Sequence, residues 1–250
     1  MYTLKKSLGQ HFLKDESVCR KIVDALAEQP FTNLLEVGPG GGALTKYLVE
    51  IPGIDFRAVE VDDEKVAYLE KTYPTLVGKL IHRSFLEIGQ PFDEPFQVVG
   101  NFPYNISTEI VFRLIEWRTS VQGMVGMFQK EVAQRLAARE GSKVYGVTSV
   151  LTQAFFDVTY LFDVDPSAFT PPPKVVSGVI RFVPRAEPLS IASERKLFAL
   201  VKAAFGQRRK TLRNAVRGLF DPIILQEDLF GKRAEQLSVT DFAALTFRMT

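Results

Sequence analysis

Leu34-Leu35-Glu36-Val37-Gly38-Pro39-Gly40-Gly41-Gly42-Ala43-Leu44-Thr45-Lys46-Tyr47-Leu48 is the stretch on which the reading of this chain turns. Residues 34–37 are a short apolar run suited to a buried strand, and residues 38–42 are all glycine or proline. From Ala43 the apolar residues resume at helical spacing. A strand, a glycine-rich turn and a helix start make a nucleotide-type site, because glycine lets the backbone approach a ligand and tolerates positive φ. The spacing matches neither G-x-G-x-x-G with its pyrophosphate cradle nor G-x-x-x-x-G-K-[ST], so a phosphate-gripping loop is not expected. A plain glycine turn is the competing reading.

Downstream, residues 54–59 read as a second strand ending in Glu60, and Asp62 opens a helix with Val66, Leu69 and Tyr73 inward. Glu60 stands about twenty positions past the glycine turn, where an acid can accept both hydroxyls of a ribose. Alone it would equally suit a helix start; its pairing with the turn favours the ribose. Residues 80–82, after the Pro74 break, make a third strand with Ser84 just beyond it. Residues 96–99 lead into Gly100-Asn101-Phe102-Pro103-Tyr104-Asn105, and residues 123–129 precede a charged helix over 130–136. This alternation predicts an α/β fold with a parallel, doubly wound sheet.

The run Gly100 to Asn105 sits where a buried strand gives way to an amphipathic helix over residues 106–117, and in open α/β sheets such strand ends hold ligands. An amide oxygen and a neighbouring backbone carbonyl can together accept both hydrogens of a planar –NH₂ group. An aromatic ring beside them can stack on the flat body carrying that amine. The competing reading is a Pro-Tyr turn with Asn as its local hydrogen-bonding residue.

Upstream, Lys5-Lys6-Ser7-Leu8-Gly9-Gln10-His11-Phe12-Leu13 has no clear period and reads as an arm that orders on contact. Asp15 caps a helix to about residue 29, with Val18, Ile22, Val23 and Leu26 inward and Cys19 on the same stripe, as expected of a core thiol. Beyond residue 136, residues 145–156 read as a helix, and residues 157–164 and 175–182 alternate like strands. The segment between those strands carries Pro171-Pro172-Pro173, a stiff extended loop. Phe169 at its edge either covers a ligand or plugs the core; the loop's stiffness favours the ligand. After Pro184 and Pro188 strands give way to amphipathic helical stretches, which predicts domains over residues 1–184 and 185–250. Residues 202–217 hold Lys202, Arg208, Arg209, Lys210, Arg213 and Arg217 and no acid, and on a helix Arg209, Arg213 and Arg217 share a face. Such a local basic helix is a phosphate-contacting footprint. Arg135, Arg139 and Lys143 read either as a solvated face or as a phosphate rim.

The 250 residues are 46% hydrophobic and 24% charged, enough for a substantial core, and a net charge of +2 implies no nucleic-acid partner by itself. One cysteine allows no intramolecular disulfide, and neither His11 nor His82 has metal-ligand spacing, so no metal is expected. The polar first residues predict no signal peptide, and no stretch is apolar enough to span a membrane, which points to a cytoplasmic protein. A monomer is expected.

Together these motifs closely resemble the ribosomal RNA small-subunit adenine N6,N6-dimethyltransferase family, known for kasugamycin sensitivity in bacteria. The resemblance runs nearly end to end. It takes in Gly9-Gln10-His11-Phe12-Leu13, Glu36-Val37-Gly38-Pro39-Gly40-Gly41-Gly42, Glu60, Asn101-Phe102-Pro103-Tyr104 and Lys130-Glu131-Val132-Ala133. It continues through Tyr145-Gly146, Phe169 with Pro171-Pro172-Pro173-Lys174-Val175, and Phe205 with Gln207-Arg208-Arg209-Lys210-Thr211-Leu212.

The resemblance implies a Rossmann-like S-adenosylmethionine-dependent methyltransferase domain and a small all-helical C-terminal domain. The cofactor would be held by Gln10, His11, Leu13, Gly38, Gly40, Gly42, Glu60, Val61, Ser84, Phe85 and Asn101. The target would be two adjacent adenosines in the terminal hairpin loop of small-subunit rRNA, within an immature small ribosomal subunit contacted by Arg208, Arg209, Lys210, Arg213 and Arg217. Asn101 and the Pro103 carbonyl would hold the adenine N6, with Tyr104 and Phe169 as aromatic contacts.

One departure stands out. The family usually places an Asp after the third strand, to accept a hydrogen bond from the cofactor's adenine amine; this chain has Ser84 in His82-Arg83-Ser84-Phe85-Leu86. Losing a charge-assisted bond costs about 1 kcal/mol or more, so weaker cofactor affinity is expected. Three alternatives remain. A large-subunit rRNA adenine methylase of macrolide-resistance type is disfavoured by the proline loop and by Gln207-Arg208-Arg209-Lys210. An assembly factor that binds immature subunits with weak or lost methylation is kept open by Ser84. A small-molecule or DNA adenine methyltransferase leaves the basic C-terminal stretch unexplained.

Overall fold

The computed structural model of the chain describes residues 11–250; Gln10 of the expected cofactor set lies outside the described residues. Asp15 opens helix α1 (Glu16–Ala27): its Oδ1 accepts from the amides of Ser17 and Val18, 2.9 and 3.3 Å away. Cys19, Ile22 and Leu26 on one stripe of α1 are buried. Strand β2 (Asn33–Val37) follows, then a turn with Gly38, Gly40 and Gly42 at φ +68°, +59° and +81°, the left-handed region that favours glycine. The helix after it, α2 (Thr45–Leu48), starts two residues later than the apolar spacing predicts.

Strands β3 (Asp55–Glu60), β4 (Leu80–His82), β5 (Phe96–Asn101) and β6 (Val121–Gln129) alternate with helices α3 (Asp63–Thr72) and α4 (Ser107–Glu116). They join β7 (Phe156–Val164) and β9 (Ser177–Pro184) in a seven-stranded sheet of order β4-β3-β2-β5-β6-β9-β7. Neighbours from β4 to β6 are parallel, and β9 runs antiparallel to β6. The register aligns Val37 with Val59, Glu60 with His82 and Asn101 with Met127. Residues far apart in sequence therefore come to one edge, the carboxyl ends of the parallel strands. The doubly wound expectation holds, with an antiparallel pair at one side.

On α3 the inward positions are Lys65 and Leu69, whereas Val66 is half-buried. A second, two-stranded sheet pairs β1 (Phe12–Leu13) antiparallel with β8 (Phe169–Thr170). Phe169 is 1% exposed and belongs to the core cluster with Leu13, Val164 and Val179. Pairing with Leu13 turns the ring inward among these core side chains, whereas the sequence reading favours a place over a ligand.

Two compact units are present. Among the described residues, the first comprises 11–133 and 159–184, and the second 134–158 and 185–250. The expected boundary at Pro184 falls on one of these crossings, but residues 134–158 gather with the second unit. They carry the end of α5 (Lys130–Leu136), α6 (Val147–Gln153) and the buried Tyr145, whose ring meets Phe205 edge-on at 5.9 Å. A single cut in the sequence therefore does not describe the division. In the second unit, Ser193 caps α7 (Glu194–Gly206), and Ser238 and Asp241 form a reciprocal capping box on α9 (Val239–Leu245). Phe205 of α7 stacks on Phe242 of α9, with centroids 5.8 Å apart.

The basic stretch is not one helix. Helix α7 ends at Gly206, residues 207–210 form a turn, and α8 (Leu212–Ala215) is only four residues long. Thr211 has extended backbone, φ −65° and ψ 156°, and interrupts the winding, so Arg209, Arg213 and Arg217 do not share a helix face.

Candidate active site

A cavity of about 240 Å³ opens at the carboxyl ends of β2, β3, β4 and β5, in the first unit. It gathers His11, Leu13, Gly38, Gly40, Glu60, Val61, Ser84, Phe85, Asn101, Pro103 and Tyr104 from the expected set. Gly42 lies outside it; a Cβ there would meet the Tyr73 ring at 2.9 Å, so that glycine serves the turn's packing. Phe169 is likewise absent from the lining. Sequence reading missed Glu36, Lys65 and Arg83, which also face the cavity. An acid inside an apolar strand was the available signal for Glu36, whereas Lys65 and Arg83 carry no pattern.

Glu60 binds the site together. Its Oε2 accepts from the amide of Gly40 at 3.1 Å, and its Oε1 from the amides of Val61 and Asp62 at 2.9 and 3.0 Å. The acid at the end of β3 thus fixes the turn at the end of β2 and keeps one further acceptor site, on Oε2. Glu36 is 2% exposed, accepts from the Thr45 hydroxyl at 2.7 Å, and has its pKa pushed up to about 8 by burial. The Thr45 bond opposes that rise and the nearby Glu60 charge adds to it.

Around Asn101 the packing is tight. The Phe102 ring is 1% exposed and occupies space that Cβ atoms on Gly100 and Gly126 would fill, at 2.7 and 2.2 Å from its carbons. Phe102 also meets Phe128 edge-on at 4.9 Å. The motif's phenylalanine is therefore an anchor, and the residues on either side of it, Asn101 and Pro103, face the cavity. Asn101 Nδ2 donates to the His11 carbonyl at 3.3 Å, which leaves Oδ1 as an acceptor. The Pro103 carbonyl accepts from the Ile106 amide at 3.3 Å and keeps a second lone pair. Tyr104 Oη shares a 2.6 Å hydrogen bond with Ser177 Oγ, and burial raises its pKa although the Ser177 bond opposes the rise, so the ring is a neutral phenol. Ser84 Oγ accepts from the Leu86 amide at 3.3 Å, shaping the turn after β4.

Among the expected RNA contacts, Arg208 pairs with Glu235 at 3.3 Å and with the Lys143 carbonyl, and Arg213 donates to the Leu225 carbonyl at 2.6 Å. Lys210 and Arg217 instead line a surface depression with Gln207 and Asn214. No group of three or more His, Cys, Asp or Glu among the described residues could hold a metal ion, and no helix there is long and apolar enough to cross a membrane.

This sheet order, with a glycine turn, an acid and an amide–proline–tyrosine run at its carboxyl edge, defines a Rossmann-like methyltransferase. Solved structures agree. The chain is similar to a dimethyladenosine transferase from Plasmodium falciparum, with TM-score 0.80, 25% identity and coverage of 93% of this chain and 94% of that one. It also shares the fold of the 23S rRNA methyltransferase ErmE, with TM-score 0.76, 24% identity and coverage of 95% and 99%. The chain belongs to the ribosomal RNA adenine dimethylase family, whose model matches residues 1–245. It is 49% identical over 246 residues to the ribosomal RNA small subunit methyltransferase A of Flavobacterium johnsoniae, covering 97% of this chain and 94% of the relative. The protein of that name from Cytophaga hutchinsonii is 47% identical, with coverage of 97% and 95%.

The cofactor of this class is S-adenosylmethionine, and the residues fit it. Gly38 at φ +68° leaves room toward the cavity, where a Cβ would meet nothing closer than Pro103 Cδ at 3.9 Å. The Glu60 carboxylate suits ribose hydroxyls, and Leu13, Val61 and Phe85 supply apolar wall.

Proposed function

We propose that the chain transfers methyl groups from S-adenosylmethionine to N6 of two adjacent adenosines in the 3′-terminal hairpin loop of small-subunit rRNA. The observation that carries this is the meeting of Asn101, Pro103 and Tyr104 with the Gly38–Gly40 turn and Glu60 in one cavity. The cofactor supplies an electrophilic methyl on a sulfonium. Everything else is positioning.

The adenine must leave its stack to enter the cavity. Tyr104, fixed by Ser177, offers a face on which it stacks. Asn101 Oδ1 and the free lone pair of the Pro103 carbonyl accept the two N6 hydrogens, which favours a pyramidal nitrogen with its lone pair directed away from the ring plane. Aligning that lone pair with the methyl supplies much of the rate through orientation and preorganised acceptors. With the methyl donor bound, N6 would take the methyl in exchange for the sulfur, and N6, then acidic, would lose its proton to water. No enzyme nucleophile takes part.

The partner is the immature small subunit, met in the cytoplasm by a monomer. Lys210 and Arg217 of the second unit line one surface depression with Gln207 and Asn214 and would contact the subunit's phosphates. The test is transfer from labelled cofactor to small subunits lacking the dimethyladenosines, with the product mapped by mass spectrometry. Label on two adjacent adenosines of the terminal hairpin supports the reading, and binding without transfer moves it to an assembly factor.

A further inference from the structure

His11 takes part in three contacts that meet at the candidate active site. Its carbonyl accepts from Asn101 Nδ2 at 3.3 Å. Its ring Nδ1 lies 2.8 Å from the Pro171 carbonyl, which can only accept, so Nδ1 carries the hydrogen. Its ring also stands 5.8 Å from that of Tyr104, tilted by 31°.

The strand pairing explains why these contacts coexist. Phe12 faces Thr170 and Leu13 faces Phe169, so the antiparallel register carried one step on sets His11 against Pro171. The Lys14 amide donates to the Ala168 carbonyl at 2.9 Å, and antiparallel ladder bonds recur at every second pair, so His11 and Pro171 form a non-hydrogen-bonded pair whose backbone groups point away from each other. The His11 carbonyl therefore faces away from Pro171 and accepts from the Asn101 amide, and the ring N–H, rather than a ladder bond, ties His11 to Pro171.

The orientation of Asn101 depends on this. An Asn side chain can present either oxygen or –NH₂ to a ligand, and an incoming adenine amine needs oxygen. With the His11 carbonyl on one side, the flipped amide would set oxygen against oxygen. We propose that His11 is a positioning residue that locks the Asn101 amide with its oxygen toward the substrate, its imidazole pinning the arm to Pro171 so that its carbonyl stays in place.

This rests on the methyl-transfer reading, so the test separates the two. His11→Ala removes the ring donor, and His11→Asn restores an N–H at the position of Nδ1. Single-turnover transfer to unmethylated small subunits and calorimetric cofactor binding are measured for wild type and both variants. Exchange of the Asn101 side-chain amide protons with water is followed by NMR, with Asn101→Asp assigning the signals. His11→Ala is expected to lower the transfer rate about tenfold while cofactor affinity changes less, as for a lost oriented acceptor. It should also speed Asn101 amide exchange, and His11→Asn should recover both. An unchanged rate, no rescue by His11→Asn, or a loss lying wholly in cofactor affinity would overturn the proposal. A wild type that transfers no methyl would refute the reaction, and the exchange measurement would still decide the role of His11.

Discussion

The Glu60 carboxylate and the Gly40 amide, 3.1 Å apart, join the ends of β3 and β2 by a hydrogen bond. The acid therefore shapes the turn and faces the cavity at once. Glu60→Ala is expected to weaken S-adenosylmethionine binding by tenfold or more, about 1.4 kcal/mol for each factor of ten. Glu60→Gln, which keeps one acceptor oxygen, should lose less. Calorimetry checks the order.

Gly126 is spoken for by the Phe102 ring. A Cβ there would lie 2.2 Å from Phe102 Cε2 and 2.8 Å from Met124 Sδ. Gly126→Ala should cost about 1–3 kcal/mol of stability through overpacking. It should also lower methyl transfer beyond the unfolded fraction, because Phe102 anchors Asn101 and Pro103. Thermal melts and single-turnover rates, measured side by side, test both parts.

Glu36 makes stability depend on pH. Its pKa of about 8 exceeds the ordinary value of 4.5, with burial as the main cause, so the folded chain holds a proton that the unfolded chain has released across that window. The group's stabilising contribution is fully present below 4.5 and is lost as pH rises toward 8. Glu36→Gln, which cannot ionise, should flatten the fall in stability between those pH values. Denaturant midpoints measured across the window give the comparison; parallel curves for the two proteins would contradict it.

Ser84→Asp is expected to bind S-adenosylmethionine more tightly, by about 1 kcal/mol or more. Ser84 Oγ already accepts from the Leu86 amide, a role a carboxylate oxygen can keep while adding charge toward the cavity. Equal affinity would show that the hydroxyl suffices.

The cations of the second unit should divide by role. Arg208→Ala removes the contacts to Glu235 and the Lys143 carbonyl and should lower the melting temperature slightly, since the pair is exposed. Lys210→Ala and Arg217→Ala should leave melting unchanged and weaken binding to small subunits, with a smaller salt dependence. Filter binding at several salt concentrations distinguishes them.

What the sequence revealed depended on how local the cause was. The cap at Asp15, the glycine turn, the strand ending in Glu60 and the Asn101-to-Tyr104 run all rest on neighbouring residues, and all appear where they were read. The β1–β8 pairing has two residues on each side and joins segments 158 residues apart in register, from Phe12 to Thr170, so no periodicity announces it. That unseen pairing is what turned Phe169 inward. The basic stretch misled because charge spacing was read on an assumed continuous helix, whereas Gly206 and Thr211 bound a turn. Lys65 was invisible as a cavity residue because a buried lysine in a helix's first turn looks like a solvated one.

Asn101 is proposed as the acceptor of the adenine amine's hydrogens, within the cavity that holds the methyl donor. Single-turnover methyl transfer to unmethylated small subunits, comparing wild type with Asn101→Ala at saturating S-adenosylmethionine, measures this most directly. A fall of about 10²-fold or more in the rate at both adenosines is expected, comparable to removing a preorganised hydrogen-bonding partner of a transition state. An Asn101→Ala protein that methylates both adenosines at close to the wild-type rate would contradict it.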